Sequence, residues 1–213
     1  MKRIIGIGAA TAILALAASP AAMADAEPTV CDGVIANASV GDLLVPYGAS
    51  CTVDGSYVSG SITTETDAGS LTIRKSLVDG DVQVDSSHGL RVDRAVVTGE
   101  LRVVEPTAAV ELTTSAFNGA ASIQAPLATL AVGGGEVGRG NVFGAGLRVR
   151  AAFGATAIER NVVRGDLAVD GGRAATRISR NLVSGALGCA GNDPAPTGGG
   201  NLAGSSTGQC SAL

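Results

Sequence analysis

The stretch Leu71-Thr-Ile-Arg-Lys-Ser-Leu-Val-Asp-Gly-Asp-Val-Gln-Val84 decides the fold, because it returns nineteen residues later as Leu90-Arg-Val-Asp-Arg-Ala-Val-Val-Thr-Gly-Glu-Leu-Arg-Val103. The same frame recurs along most of the 213 residues. Equivalent anchor positions are Val34, Val53, Ile73, Val92, Leu112, Val132, Ile158 and Ile178. They are separated by 19 or 20 residues, with a single step of 26. The chain therefore contains eight copies of one unit.

The apolar positions of each unit lie two residues apart on either side of a glycine, which is the period of β-strands with alternate side chains inward. A unit of two or three short strands cannot bury its apolar face alone, so successive units have to stack. The sequence predicts an all-β fold, a single-stranded parallel β-helix of about eight coils of roughly 20 residues. We expect a right-handed helix because the strict hexapeptide repeat that left-handed β-helices favour is absent. A two-sheet sandwich would not require such constant steps.

Stacking places equivalent residues of successive coils in columns. The first predicted inward column is Val58, Val78, Val97, Phe117, Phe143, Val163 and Val183. The second is Ile62, Val82, Leu101, Ala121, Leu147, Leu167 and Leu187. A polar column at one bend consists of Ser56, Ser76, Ser115, Asn141, Asn161 and Asn181. We expect the apolar columns to form the core and the polar one to hydrogen-bond neighbouring coils.

The N-terminus has the pattern of a secretory signal peptide. Lys2 and Arg3 precede an apolar run over residues 4–18, and Ala22-Met-Ala24 has the small residues of a cleavage site. A membrane anchor is the alternative, but fifteen apolar residues are short for a span of about 20. We expect residues 1–24 to be removed and the product to be secreted. Losing the two basic residues changes the net charge from −4 to −6.

The four cysteines all follow the leader: Cys31, Cys51, Cys189 and Cys210. An even number in an exported chain predicts two disulfides. The separations of 20 and 21 residues equal one coil, so each pair falls on adjacent coils, within the distance that a disulfide bridges. We expect one disulfide at each end of the stack.

Residues 25–213 are predicted to form a single domain. Its coils extend over about residues 31–189. The segment 190–213 is rich in proline and glycine, which argues against another regular coil. We expect it to form a cap over the last one.

The composition excludes several functions. Fifteen Lys and Arg against 19 Asp and Glu give a pI near 4.9, so phosphate-driven binding of nucleic acid is excluded. Five aromatic residues leave little surface for stacking bases, and the one histidine provides no pair for zinc. We expect no cofactor and no metal site.

Several segments together carry a family resemblance. They are the leader, Val45-Pro-Tyr-Gly-Ala-Ser-Cys-Thr52, the repeated Val-x-Gly-x-(Val/Leu)-x-Val frame, and the ending from Gly191-Asn-Asp-Pro-Ala-Pro-Thr-Gly198 to Cys210. The chain resembles small exported actinobacterial right-handed parallel β-helix proteins of uncharacterised function. This resemblance implies an extracellular β-helix. The frame is also similar to that of pectate-lyase-like proteins, but only at the level of fold, which does not carry function.

Asp79, Asp81 and Asp85 are the best catalytic candidates. Alternating carboxylates can bind Ca²⁺ or act as acid and base on a glycan, which would make the protein a polysaccharide lyase or glycoside hydrolase. The other interpretation is a solvated acidic face that keeps the rod soluble. We favour the solvated face, because the spacing fixes no basic partner for these residues.

A basic column contains Lys75, Arg94, Arg160 and Arg180. Acidic residues flank it in the preceding column: Asp54, Asp93 and Glu159. The sequence favours ladders of opposite charge. Binding of an acidic polymer is the alternative, which the neighbouring acids would oppose by screening.

The 26-residue step contains a glycine-rich insertion over residues 133–140, which we call the insertion loop. Its only charged residues are Glu136 and Arg139. Insertions in repeat proteins often lie on a binding face. A flexible excursion without a function is the other interpretation.

An apolar stripe is also predicted beside the polar bend: Tyr57, Leu77, Val96, Ala116, Val142, Val162 and Leu182. Strand alternation points these residues outward, as in a contact surface. Alternatively the stripe lies under the C-terminal cap, or a bend turns it inward.

Together these observations predict a non-enzymatic structural or interaction module at the cell surface or outside the cell. Its expected partners are a cell-envelope or extracellular polysaccharide or protein, or a second copy of itself. The polysaccharide-degrading enzyme described above is the alternative.

Overall fold

The computed structural model describes residues 27–213, and the predicted signal peptide, residues 1–24, lies outside this range. Every regular element within 27–213 is a β-strand, and the named strands pair in parallel. One strand from each of nine coils forms a nine-stranded sheet, and the others form a 17-stranded sheet. The predicted parallel β-helix is confirmed. No helix among these residues could cross a membrane.

The nine-stranded sheet takes the strand that opens each coil. Its members, in spatial order, are β2 (Gly33–Ala36), β5 (Cys51–Asp54), β8 (Ser70–Arg74), β11 (Gly89–Asp93), β14 (Val110–Thr113), β17 (Leu130–Gly133), β20 (Thr156–Glu159), β23 (Thr176–Ser179) and β25 (Thr197–Gly199).

The 17-stranded sheet contains a column of two-residue strands and a column of longer ones. The short strands are β3 (Ser39–Val40), β6 (Tyr57–Val58), β9 (Leu77–Val78), β12 (Val96–Val97), β15 (Ala116–Phe117), β18 (Val142–Phe143) and β21 (Val162–Val163). The second column begins with β1 (Thr29–Val30), β4 (Leu43–Val45), β7 (Ile62–Thr64), β10 (Val82–Asp85), β13 (Leu101–Val104), β16 (Ala121–Gln124), β19 (Leu147–Arg150) and β22 (Leu167–Asp170). In the last two coils the short and long strands merge, as β24 (Leu182–Ala190) and β26 (Leu202–Gly208).

The strand register matches the repeat register except in the first coil, where Val53 pairs with Ile35. The predicted anchor Val34 is therefore wrong by one residue, and its side chain is exposed. Val78 pairs with Val58 on one side and with Val97 on the other, and Phe117 pairs with Phe143 across the 26-residue step. All members of both predicted inward columns are buried. The two phenylalanine rings stack with their centroids 5.1 Å apart. Alternation along short strands thus produces one continuous apolar core.

Two corners of the coil are turned by residues with positive φ. At the first corner these include Lys75, Arg94, Arg160 and Arg180, with φ between 50° and 58°. At the second they include Ser86, Glu105, Ala125, Ala151 and Gly171, with φ between 45° and 68°. The basic column of the sequence is therefore a column of left-handed corner residues, whose side chains project from an edge of the rod.

The polar column is a buried hydrogen-bond ladder, as predicted. Oδ1 of Asn161 accepts from the backbone N–H and the Nδ2 of Asn141, both at 3.0 Å. Its own Nδ2 donates to the Val132 carbonyl at 2.9 Å and to Oδ1 of Asn181 at 3.1 Å. Asn201 extends the ladder by accepting from the Asn181 N–H at 3.0 Å. The ladder satisfies backbone groups at a corner where the sheets provide no partner.

The C-terminal segment continues the stack as a ninth coil. β25 pairs in parallel with β23, and β26 pairs with β24 from Leu182↔Leu202 to Cys189↔Gly208. The expectation that residues 190–213 are too rich in proline and glycine for another coil is therefore wrong. The segment is the last coil of the stack, because β24 is the one described strand that pairs with β26.

The disulfides connect the coils that the cysteine spacing indicated. Cys31 is bonded to Cys51 with their Cα atoms 5.5 Å apart, and Cys189 to Cys210 with 5.1 Å. All four are buried. Each end of the rod is thus covalently attached to its neighbouring coil.

Candidate functional site

The apolar stripe faces outward along the rod. Tyr57, Leu77, Val96, Val142 and Leu182 are between 37% and 46% exposed, whereas the residue after each is buried. A two-residue strand can bury only one of its side chains, so the other is left on the surface. The interpretation in which a bend turns the stripe inward is wrong.

The stripe also continues past the position of the predicted cap. Leu202 of the ninth coil pairs with Leu182 and is 70% exposed. The C-terminal segment therefore lengthens the apolar stripe instead of covering it. From Tyr57 to Leu202 the stripe crosses eight coils, and its seven steps of about 4.8 Å make it about 34 Å long.

Asp79 contributes to the edge of the stripe. Its Oδ2 accepts a hydrogen bond from the Tyr57 hydroxyl of the preceding coil. This hydrogen bond is the largest cause of a raised pKa at Tyr57. Desolvation and the negative charge of Asp79 raise the pKa further above its ordinary value. The contact fixes the one aromatic ring of the stripe.

Asp81 has a structural contact. Its Oδ1 accepts the backbone N–H of Glu100 on the next coil at 2.7 Å. Asp42 and Asp166, in the same column, accept the N–H groups of Ser61 at 2.7 Å and Ala186 at 2.8 Å. These carboxylates bridge successive coils where the chain bends between the short and long strands.

The catalytic candidates are not combined into a metal-binding cluster. Asp79 and Asp81 make the contacts given above, while Asp85 accepts from the hydroxyl of its neighbour Ser86 at 3.2 Å. Among residues 27–213, no three His, Cys, Asp or Glu side chains are placed to hold a metal ion together.

The ion pairs differ from the predicted ladders. Arg94 pairs with Asp93 at 2.9 Å, as the adjacent columns indicated. Glu159, however, pairs with Arg177 at 2.7 Å and also accepts from the Ser179 hydroxyl at 3.0 Å. Asp54 likewise pairs with Arg74, at 2.9 Å. In the described part of the chain, Lys75, Arg160 and Arg180 have no salt-bridge partner.

The insertion loop is attached to the coils on both sides. Nε of Arg160 donates to the Gly135 carbonyl at 2.9 Å, and the Thr114 hydroxyl donates to the Gly138 carbonyl at 3.3 Å. The two charged residues of the loop, Glu136 and Arg139, pair with each other at 3.4 Å and are exposed. The loop is therefore held against the first corner of the rod.

The loop, the stripe and the basic column meet at one place, which we call the corner groove. It is an open depression of about 380 Å³. Its lining residues are Val137, Gly138, Gly140, Asn141, Val142, Arg160, Val162 and Arg180. The sequence predicts the three features separately but not the groove, because the path of an insertion cannot be deduced from the repeat.

The chain matches no protein-family model, no curated protein and no solved structure. Its fold and surface alone define its class. It is an all-β parallel β-helix with a disulfide near each end and an apolar stripe along its length.

Proposed function

We propose that this protein is an exported, non-enzymatic interaction module that binds a cell-envelope or extracellular polysaccharide or protein along one edge of its rod. The apolar stripe from Tyr57 to Leu202 is the observation that carries the proposal: six of its eight side chains are exposed, and Ala116 and Val162 are half-buried. Contiguous apolar surface on a soluble protein marks a contact site, because leaving it in water costs free energy that a partner recovers.

The stripe has the form of a binding surface for an elongated partner. Eight successive coils each contribute one side chain at the same place, so the surface repeats about every 4.8 Å. The buried ladders and the core beneath keep these positions fixed. A rigid surface of this kind loses little conformational entropy when it binds a partner.

Export is supported by three features. The leader over residues 1–24 has the pattern of a signal peptide. All four cysteines are paired in disulfides, which persist in oxidising compartments. The resemblance to exported actinobacterial β-helix proteins points the same way.

Co-sedimentation with insoluble cell-envelope material tests the proposal. The oxidised chain from residue 25 would be compared with the double variant Leu77→Glu/Val96→Glu, which places two charges on the stripe outside the corner groove. Gln83→Glu/Gln124→Glu is the matched control, since it adds the same charges to exposed positions of the neighbouring long strands. We expect the stripe variant to bind more than about tenfold more weakly and the control to bind normally.

Two results would overturn the proposal. One is equal binding by both variants, or an inert monomer in light scattering that binds no envelope component. The other is degradation: the protein would be incubated with acidic and neutral polysaccharides, with and without Ca²⁺, while new reducing ends and unsaturated products are measured. Activity lost in Asp79→Asn or Asp85→Asn with the fold intact would identify an enzyme instead.

A further inference from the structure

The corner groove combines two cationic side chains with an apolar floor. Val142 and Val162 belong to the apolar stripe, while Arg160 and Arg180 belong to the basic column. None of its lining residues is acidic. The groove is thus a positively charged section of the stripe in a chain whose net charge is −4.

The two arginines lie side by side. They occupy the same left-handed corner in successive coils, with φ of 58° and 55°. Adjacent coils are about 4.8 Å apart, so the two arginines start from neighbouring positions on one edge of the rod, and both line the groove. Two positive charges lining one groove repel each other, and an anion bound between them removes that repulsion.

The carboxylates nearest in sequence to this pair and to the insertion loop form ion pairs with other residues. Glu159 is engaged by Arg177 and Ser179, and Glu136 is engaged by Arg139. Nε of Arg160 donates to the loop carbonyl of Gly135, which orients its guanidinium group beside the groove. The side chain of Arg180 makes no hydrogen bond or ion pair with any residue in the range 27–213.

We propose that the corner groove binds an anionic group, a carboxylate or a phosphate, carried by an acidic polysaccharide that lies along the apolar stripe. Arginine binds both groups through paired N–H donors, and the two valines provide an apolar surface for the sugar ring. A polymer is favoured over a free anion because the groove opens onto a stripe about 34 Å long. This inference rests on the proposed function, since it names the ligand class for the same surface.

Matched dextrans test the proposal directly. Carboxymethyl-dextran, phosphorylated dextran and neutral dextran share one backbone and differ only in charge. Binding to the oxidised chain from residue 25 would be measured by calorimetry at low and at physiological ionic strength. We expect at least one anionic dextran to bind and neutral dextran to bind more weakly; the arm that binds identifies the anion.

Arg180→Gln is the decisive variant, because this side chain is exposed and has no polar partner among residues 27–213 to lose. Arg94→Gln is its control: it removes the same charge from the same column and a similar backbone conformation, but this arginine is paired with Asp93. We expect Arg180→Gln to weaken binding by about tenfold or more, as for one charge-assisted hydrogen bond. Arg94→Gln should change it by less than about twofold.

Equal weakening by both variants would show a general charge effect and overturn the site. So would the absence of binding to both anionic dextrans. Either result would leave the proposed function standing if the envelope capture still depended on the stripe. Conversely, loss of dextran binding in Arg180→Gln would support the groove even if the stripe variant captured envelope material normally.

Discussion

Replacing Gly171 with alanine should destabilise the protein, and replacing Ala151 with glycine should stabilise it. These residues occupy the same corner in successive coils, with φ of 68° and 49°. A Cβ atom on Gly171 would have its nearest neighbour at 3.8 Å, the backbone nitrogen of Ala151, which is ordinary van der Waals contact. The effect of either substitution therefore comes from the backbone conformation.

The expected magnitude follows from two opposing terms. A left-handed conformation costs an L-residue about 1–2 kcal/mol. Exchanging glycine for alanine restricts the unfolded chain, which returns about 0.4–1 kcal/mol. The net change in the free energy of unfolding is about 1 kcal/mol, unfavourable for Gly171→Ala and favourable for Ala151→Gly. Such a change shifts the melting temperature by about 2–4 °C for a chain of this size.

Gly41→Ala is the control. It adds the same methyl group where no described atom beyond the two chain neighbours lies within 4 Å and where φ is outside the left-handed range. Its expected effect is therefore neutral or stabilising. Urea unfolding of the oxidised proteins, followed by circular dichroism, gives the midpoints and slopes. A Gly171→Ala protein as stable as the wild type would refute the reasoning, as would an Ala151→Gly protein less stable than it.

Three other predictions concern contacts between coils. Asn161→Ala should lower the free energy of unfolding by about 3 kcal/mol, because buried partners lose their hydrogen bonds. Asn161→Ser should lower it by less, because the serine hydroxyl can still accept a hydrogen bond. Equal urea midpoints for the two variants would contradict this prediction. Asp79→Asn should lower the pKa of Tyr57, because it removes the negative charge that accepts the Tyr57 hydrogen bond. Ultraviolet titration in a Tyr47→Phe background, where Tyr57 is the remaining tyrosine, measures this pKa. An unchanged pKa would show that the hydrogen bond is not formed in solution. Changing both cysteines of the C-terminal disulfide to alanine should lower the free energy of unfolding by about 3 kcal/mol. A stability equal to that of the wild type under non-reducing conditions would show that this disulfide does not stabilise the fold.

The core could be predicted from the sequence because it depends only on period. Once the units repeat at 19 or 20 residues, alternation decides which residue of each short strand is inside, as at Val78 and Val97. The cysteine separations then specify which coils are joined. These inferences need only the alternation of side chains along a strand and no knowledge of where long side chains reach.

The ninth coil could not be predicted, because the composition of a segment does not show which strand it will pair with. Residues 197–199 contain two glycines, which disfavour an isolated strand. Here the strand forms on an existing edge, where β23 already provides a row of hydrogen-bonding groups, and Asn201 completes the ladder beneath. Tertiary context overrides the local propensity.

The ion pairs and the corner groove cannot be predicted from the sequence for a related reason. Glu159 has a basic neighbour in sequence, Arg160, and another one coil later, Arg177. Column position does not tell which of them a long side chain reaches, and here it is the second. This choice leaves the groove positively charged.

The insertion loop shows where this protein can change in evolution. The loop adds residues at a corner, yet Phe117 and Phe143 on either side still pair directly. The sheet therefore keeps its register across the insertion. Corners of the rod are therefore places where new peptide segments can be acquired without rebuilding the interior. The same property makes the insertion loop a natural grafting position, at which a chosen epitope or binding peptide could be displayed on a disulfide-bonded scaffold.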